Sequence, residues 1–435
     1  MQRLTAHLKE SWGNLADVRK PNNNRKYDIG DAALCSFAMF YFQDPSFAEF
    51  QRQMDAEQGT SNARTMFGIE RIPSSPQIRN LLDGQVPSVM WENFDWLHDE
   101  LKASGTYDSY RDVNGTFLIA LDGVNYFSSA AIECSHCLKQ THANGTVTHS
   151  HSAIIPVMVK PGRSEVIAFP PEFISNQDGQ KKQDCELNAS KRWLGKHSAR
   201  FEPKTVTFLG DDLYSHQPFC AWIGSTMNQY FMCVAKPESH VWLFESIDSL
   251  QKIGGVQTHH EVIWSGKKRE VWTYRWIIGA GLTGDPAALM VNWLEVIVTD
   301  KVTGKRLYFN TWITNHAINA QVVHSLAKAG RARWKVENES HNILKEHGYH
   351  LEHNFGHGKL NLSAVLLCLN LLTFLTHTVQ QLAEPIYKAI RAKVVTRRSM
   401  FELLRVLVAL QPFESWTAFW TRICLAKGVA LPSGP

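Results

Sequence analysis

The stretch that decides the fold runs from Thr116 to Gly123 and reads TFLIALDG. Five apolar residues in succession are followed by Asp122 and a glycine. A short apolar run bounded by turn residues predicts a buried β-strand. This strand therefore delivers a carboxylate at its carboxyl end, beside a glycine that lets other groups approach closely.

A second strand with the same arrangement is predicted from Thr205 to Leu209, where Gly210 leads into Asp211 and Asp212. A helix-like stretch from Glu186 to Ala199 precedes it. Strand, helix and strand in succession predict an α/β core, and open α/β sheets place their sites at the carboxyl ends of strands. Further strands are predicted at Ala153 to Val159 and Val166 to Phe169.

A third carboxylate lies in a predicted helix that spans Ala317 to Lys345. Glu337 has Arg333 one turn before it on the same face, and Lys345 lies roughly 80° round the helix. Glu339 points roughly 200° away and is the alternative to Glu337. Three carboxylates of this kind can hold two Mg²⁺ or Mn²⁺ ions, and basic side chains can hold phosphate oxygens.

These motifs resemble those of insertion-sequence transposases of the DDE type, in particular the IS-four-like superfamily, with the ISNCY group as one candidate within it. That family has the signature Tyr-x-x-Arg-x-x-x-Glu-x-x-x-x-x-x-Lys, which Arg333 and Glu337 match. Gly330 stands where the signature has tyrosine, and Lys345 comes one residue late.

The two aspartates resemble the other acids of the same family. Gly210 to Tyr214 reads GDDLY and is similar to its second acid followed by an aromatic residue, which favours Asp211 and leaves Asp212 as the alternative. Asp122, between leucine and glycine, resembles its first acid. The resemblance therefore implies a catalytic triad of Asp122, Asp211 and Glu337 that also binds two Mg²⁺ or Mn²⁺ ions.

The resemblance implies a DNA transposase that hydrolyses phosphodiesters at transposon ends and transfers the 3′-hydroxyl ends into target DNA. Its partners would be double-stranded transposon ends, target DNA and a second copy of the chain in a homodimer. Two alternatives remain open: a ribonuclease-H-like nuclease without strand transfer, and a domesticated DNA-binding protein without catalysis.

The expected fold class is α/β, with a ribonuclease-H-like core interrupted by a β-rich insertion and flanked by helical regions. The core is assigned to 111–215 and 309–360, and the insertion to 216–308. Residues 1–110 form the helical N-terminal DNA-binding region, and 361–435 form a helical C-terminal region suited to dimerisation. A β-rich insertion between the second aspartate and the glutamate is also a feature of the resembling family.

The insertion carries aromatic and basic residues that suit DNA as well as a protein core. Trp264 lies beside Lys267 and Lys268, which would combine a stacking platform with phosphate contacts. Core packing is nevertheless the more common role for tryptophans, and it is the favoured interpretation for all four in the insertion: Trp264, Trp272, Trp276 and Trp293.

Cys134 and Cys137 have the two-residue separation that suits tetrahedral Zn²⁺, and two imidazoles from His142, His149 and His151 would complete the site, with His142 and His149 as the favoured pair. Asn144 and Gly145 predict a hairpin turn between those histidines. The competing interpretation is buried cysteines beside surface histidines. A second histidine group suggests a metal hydrolase as a rival enzyme, although a turn-rich loop is favoured: His341, His347, His350, His353 and His357.

A net charge of +4 over 435 residues is only mildly basic, so DNA binding would depend on local clusters. Residues 1–17 lack the pattern of an export signal, and the scattered cysteines suit a reducing compartment. The expected location is the cytoplasm, at the bacterial nucleoid. Leu360 to Val379 is apolar but contains polar residues, which favours a buried core helix over a membrane span.

Overall fold

The computed structural model describes residues 1–17, 19, 25–175, 184–394 and 396–431. It is a mixed α/β structure with helices at both ends of the chain and a mixed sheet between them. The strands are β1 (Phe117–Ala120), β2 (Gly123–Ser129), β3 (Leu138–Thr141), β4 (Val147–Ile154), β5 (Val157–Val159), β6 (Ile167–Ala168), β7 (Glu172–Ile174), β8 (Val206–Gly210), β9 (Tyr230–Val234), β10 (Gln257–Trp264), β11 (Arg269–Gly281), β12 (Met290–Asp300) and β13 (Arg306–Thr314).

The helices precede, interrupt and follow these strands. They are α1 (Gln2–Gly13), α2 (Ile29–Phe42), α3 (Phe47–Met54), α4 (Glu57–Phe67), α5 (Ser75–Asp83), α6 (Trp91–Ala103), α7 (Glu186–His197), α8 (Gln217–Ala221), α9 (Val241–Lys252), α10 (Val323–Arg331), α11 (Asn342–Glu346), α12 (Leu362–Ala383), α13 (Pro385–Lys393), α14 (Arg397–Leu410) and α15 (Trp416–Lys427).

The large sheet has nine strands in the order β10-β11-β12-β13-β9-β8-β1-β5-β6. Strand β1 pairs parallel with β8, and β8 pairs parallel with β9, whereas β5 and β6 run antiparallel to their neighbours. Every residue of β1 and β8 is buried, as the largely apolar sequence of both strands predicts. The register places Ala120 beside Leu209, so Asp122 and Asp211 leave the sheet at the same edge.

The strands of the 216–308 region extend this sheet. Strands β10 to β13 pair antiparallel in chain order, and β13 joins β9. Trp272, Trp276 and Trp293 are buried, so the core interpretation of these three is confirmed. Trp264 is 63% exposed at the end of β10, so the core interpretation is wrong for this residue.

A second, smaller sheet contains β2, β3, β4 and β7. The hairpin predicted between β3 and β4 is confirmed, with Gly145 at φ 82° in its turn. The single strand predicted from Ala153 to Val159 is wrong, because β4 ends at Ile154 and β5 begins at Val157 in the other sheet. Pro156 lies at this crossing, where a residue without an N–H cannot continue a ladder.

The two terminal helical regions pack against one another. Tyr41 on α2 donates its hydroxyl proton to Gln380 on α12 at 3.0 Å, and the Trp416 indole on α15 donates to the Met66 carbonyl at 2.7 Å. Helix α12 is the one described helix long and apolar enough to cross a membrane, and 89% of its apolar window is buried inside the protein. The prediction of a core helix is therefore confirmed, and Pro385 begins the next helix, α13.

The continuous helix predicted from Ala317 to Lys345 is wrong. Helix α10 begins at Val323, and the chain then passes through a 3₁₀ turn at Ala332–Trp334 and a π-helical turn at Glu337–His341 before α11. Single π turns inside helices are frequently found at functional sites. The last turn of α10 packs closely against the sheet at Gly330, where Met232 of β9 and Trp312 of β13 are the nearest side chains.

Gly330 is packed so closely against neighbouring side chains that a residue with a Cβ atom would clash with them. A Cβ atom there would lie 2.7 Å from both the Met232 Cε and the Trp312 Cε2 atoms. Alanine is ordinarily better than glycine in a helix by about 1 kcal/mol, but an overpacked core costs about 1–3 kcal/mol. The tyrosine of the family signature would not fit at this position of the fold.

We expect Gly330→Ala to lower the thermal midpoint of unfolding, because the clash outweighs the gain in helix propensity. The matched control is Gly195→Ala on α7, where a Cβ would meet no atom within 4 Å, and it should raise the midpoint. Differential scanning calorimetry of the two variants measures both signs. A stabilised Gly330→Ala protein would contradict the close packing of α10 on the sheet.

Asp44 is a buried carboxylate on the turn between α2 and α3. Neither of its oxygens has a hydrogen-bond partner among the described residues. Burial raises its pKa to about 7, and Arg405 acts in the opposite direction. The folded state therefore holds a proton that the unfolded state releases at a lower pH.

Because the folded pKa is the higher one, stability from Asp44 is present below about pH 4 and is lost as the pH rises to about 7. We expect Asp44→Asn to flatten this part of the pH profile, by at most roughly 4 kcal/mol. Urea unfolding between those pH values measures it. Asp55→Asn, at an exposed position, is the control and should leave the profile unchanged. An unchanged profile in Asp44→Asn would show that Asp44 ionises normally.

Candidate active site

Asp122 follows β1 and has a strongly perturbed carboxyl group. Its Oδ1 accepts a hydrogen bond from the Gly123 N–H at 3.1 Å. Burial raises its pKa to about 7, and the Arg333 guanidinium acts in the opposite direction. Three further carboxylates raise this pKa in addition to burial: Glu186, Glu337 and Asp211. Four acids from distant parts of the chain therefore share one electrostatic environment.

Asp211 and Asp212 are adjacent in sequence but have different surroundings. Asp211 caps the turn after β8, with its Oδ1 accepting from the Leu213 N–H at 2.9 Å. Asp212 accepts from the Lys236 N–H at 2.8 Å and from the Ser239 hydroxyl, so it holds the start of the turn after β9. Of these two aspartates, Asp211 is the one that is among the charges that raise the pKa of Asp122. This favours Asp211 as the site residue.

Glu337 lies at the start of the π-helical turn and is half exposed. Its Oε1 accepts from the Arg333 Nη2 at 2.7 Å, so the predicted pairing of these residues on one face is present. Glu339 instead lines a separate cavity of about 330 Å³ beside Glu165, Arg391 and other residues. The geometry therefore favours Glu337 over Glu339.

Glu186 is a site residue that the sequence did not reveal. It is the first residue of α7, where an acid is common because it complements the helix dipole. A Cβ on Gly123 would lie 2.4 Å from the Glu186 Oε1, so the glycine after Asp122 permits this approach. Burial, and then Asp211, raise the pKa of Glu186. Helix-start acids are too frequent for sequence to single this one out.

His341 closes the π-helical turn that begins at Glu337. Its Nδ1 lies 3.8 Å from the Asp122 Oδ2, and its Nε2 is buried without a hydrogen-bond partner among the described residues. Burial lowers the pKa of His341 to about 4, with Lys345 and Arg333 acting in the same direction. The imidazole is therefore neutral near pH 7 and does not neutralise Asp122.

The basic residues predicted to bind phosphate do not all lie together. Arg333 belongs to the carboxylate site, whereas the Lys345 Nζ forms an ion pair with the Glu352 Oε1 at 2.7 Å. The tip of the β10–β11 hairpin presents exposed Trp264 beside Lys267 and Lys268, and Lys268 pairs with Asp300 at 3.1 Å. The hairpin tip is thus an exposed aromatic and basic surface at the far edge of the large sheet.

A candidate metal-binding cluster is formed by Cys134, Cys137, His151 and His357, whose ligand atoms all lie within 4.8 Å of one another. Within the described ranges it is the one group of three or more such side chains this close together. The two cysteines were predicted. The carboxylates of the Asp122 site do not form an equally compact group.

The predicted zinc ligands His142 and His149 are wrong. His142 contacts the Thr148 hydroxyl at 2.7 Å, and the His149 Nδ1 lies 3.2 Å from the Glu133 Oε2. The register of the hairpin explains the error, because Leu138 pairs with Ser150 and so places His151 across from Cys137. A group of five histidines follows Glu337 between positions 341 and 357. Within the described part of the chain, His357 is the only one of them that belongs to the candidate metal-binding cluster.

No protein-family model matches this chain. No curated protein matches it at a significant level either.

We expect Glu186→Gln to lower the pKa of Asp122, because it removes a neighbouring negative charge, and Arg333→Gln to raise it. Titration of the Asp122 carboxyl by NMR in metal-free protein measures both shifts. Glu339→Gln is the control and should leave that pKa near its starting value of about 7. If Asp122 had the same pKa in all three variants, Glu186 and Arg333 would not be electrostatic neighbours of Asp122.

Proposed function

We propose that this chain is a DNA transposase that transfers phosphoryl groups with the help of divalent metal ions. The observation that carries the proposal is the shared electrostatic environment of Asp122, Asp211 and Glu337, which come from two strand ends and a helical turn. Acids delivered in this way suit phosphodiester cleavage and strand transfer of 3′-hydroxyl ends. The protein would act as a homodimer on transposon ends and target DNA, at the nucleoid in the cytoplasm.

The sheet supports a ribonuclease-H-like core as part of this proposal. Strands β6, β5 and β1 form an antiparallel set, and β8 and β9 continue it in parallel with a helix between β6 and β8. Asp122 follows β1, the central strand of this group of five, and Asp211 follows its neighbour β8. The β10–β13 extension lies between Asp211 and Glu337 in sequence, as the resemblance implies.

The proposed metal ions are Mg²⁺ or Mn²⁺. Both ions prefer carboxylate oxygens, and Asp122, Asp211, Glu337 and Glu186 supply them. Burial is the main reason that the pKa of Asp122 is raised, and three neighbouring carboxylates add to it; a bound divalent cation would favour the ionised carboxylate. When bound, the metal ions would activate the attacking hydroxyl and stabilise charge on the leaving oxygen.

The chain's own side chains position the substrate. The Arg333 guanidinium has N–H groups beyond the one that Glu337 accepts, and a phosphate oxygen is their natural partner. Lys345 is held near the same segment by a surface ion pair with Glu352, an interaction weak enough to exchange for phosphate. Trp264 and Lys267 at the hairpin tip would contact DNA by stacking and charge.

We expect Asp122→Asn, Asp211→Asn and Glu337→Gln each to reduce cleavage of transposon-end DNA by a factor on the order of 10³ or more, because each removes a metal ligand. Binding of the same DNA, followed by gel shift, should persist. Asp212→Asn and Glu339→Gln are the matched controls and should retain cleavage. Full activity in any one of the first three variants would remove that residue from the triad.

Pre-cut ends with free 3′-hydroxyls separate the proposed activity from its alternatives. Products joined to target DNA support a transposase. Cleavage of intact ends without joining would instead indicate a nuclease, and DNA binding without either reaction would indicate a non-catalytic DNA-binding protein.

A further inference from the structure

We propose that Cys134, Cys137, His151 and His357 bind one structural Zn²⁺ ion that ties the small sheet to the segment between α11 and α12. The four ligands come from two distant parts of the chain, since His151 and His357 are 206 residues apart. Zinc binding at these four residues does not depend on the protein being a transposase.

The spacing of the ligand atoms is that of a tetrahedron around zinc. Zn–S bonds of ~2.3 Å and Zn–N bonds of ~2.0–2.1 Å give tetrahedral edges of about 3.8 Å between sulfurs, about 3.6 Å between sulfur and nitrogen, and about 3.3 Å between nitrogens. The Sγ atoms of Cys134 and Cys137 are 3.8 Å apart. The Nε2 atoms of His151 and His357 are 3.1 Å apart.

Three of the four sulfur–nitrogen edges agree equally well, and the fourth, from the Cys134 Sγ to the His357 Nε2, is within 4.8 Å. The His151 Nε2 lies 3.5 Å from each cysteine Sγ, and the His357 Nε2 lies 3.4 Å from the Cys137 Sγ. The two sulfurs are too far apart to be bonded as a disulfide, in which the S–S length is ~2.05 Å. Two thiolates and two imidazoles are a zinc donor set and a poor one for Mg²⁺.

Neighbouring groups orient the ligands as in an established metal site. The His357 Nδ1 lies 2.9 Å from the Gly358 carbonyl, which fixes the proton there and leaves Nε2 free to coordinate. The Cys134 backbone N–H donates to the Cys137 Sγ at 3.4 Å. Cys137, His151 and His357 are all buried, so the cluster is shielded from solvent on most sides.

The location gives the ion a structural role. Four protein ligands leave no open coordination position for water or substrate, which is the mark of a structural site. Strand β4 carries His151 and pairs with β2, which begins directly after Asp122. His357 lies on the chain that continues from the Glu337 turn to α12. The ion would therefore brace the two segments that flank the candidate active site.

Zinc content tests the proposal directly. The full-length protein, purified without metal-affinity resin, should contain one zinc per chain by inductively coupled plasma mass spectrometry. Cys134→Ser and His357→Ala should retain less than a tenth of it. His142→Ala and His149→Ala should retain it fully, as should Cys185→Ser at an exposed cysteine. Zinc lost from His142→Ala or His149→Ala but kept in His357→Ala would overturn the ligand set.

Cobalt substitution covers the case in which a ligand variant fails to fold. Wild-type protein stripped of metal and reloaded with Co²⁺ should show tetrahedral d–d absorption and thiolate charge-transfer bands. Wild-type protein that holds neither zinc nor cobalt would overturn the proposal.

Hydrogen exchange measures the bracing role separately. Backbone exchange in 123–154 and 351–361 should slow when zinc is loaded, and equal exchange rates with and without zinc would overturn the bracing role. None of these measurements requires DNA cleavage, so they test zinc binding independently of the proposed transposase activity.

Discussion

The parallel pairing of β1 with β8 is the contact on which the candidate active site depends. The register sets Ala120 beside Leu209, and both strands are completely buried. The next residues on each strand leave the sheet together, which brings Asp122 and Asp211 to one edge. A shift of one residue in this register would turn a buried apolar face outward, so packing of the core also fixes the position of the acids.

The same arrangement concentrates negative charge where water is scarce. Asp122 is mostly buried and has Glu186, Glu337 and Asp211 as neighbours, with Arg333 as the compensating cation. His341 does not help, because its own burial keeps it neutral. Such a site costs folding free energy, and natural proteins tolerate that cost mainly where function requires it.

Much of the fold follows from local patterns. Apolar runs predicted β1, β6 and β8, and the apolar stretch from Leu360 to Val379 predicted the buried helix α12. The errors have physical reasons. The run from Ala153 to Val159 is apolar throughout, but Pro156 divides it between two sheets. The segment after α10 has helical periodicity, yet its π turn changes which side chains share a face.

The sequence by itself determined the α/β class, the strand-end aspartates, the Arg333–Glu337 pair and the cysteine pair, because each depends on residues close together in the chain. The tertiary structure alone decided the distant partners. Glu186 reaches Asp122 only because α7 packs beside Gly123, and His357 joins Cys137 only because the chain returns from the far side of the sheet. Contacts of this range depend on how the elements pack, which no local pattern encodes.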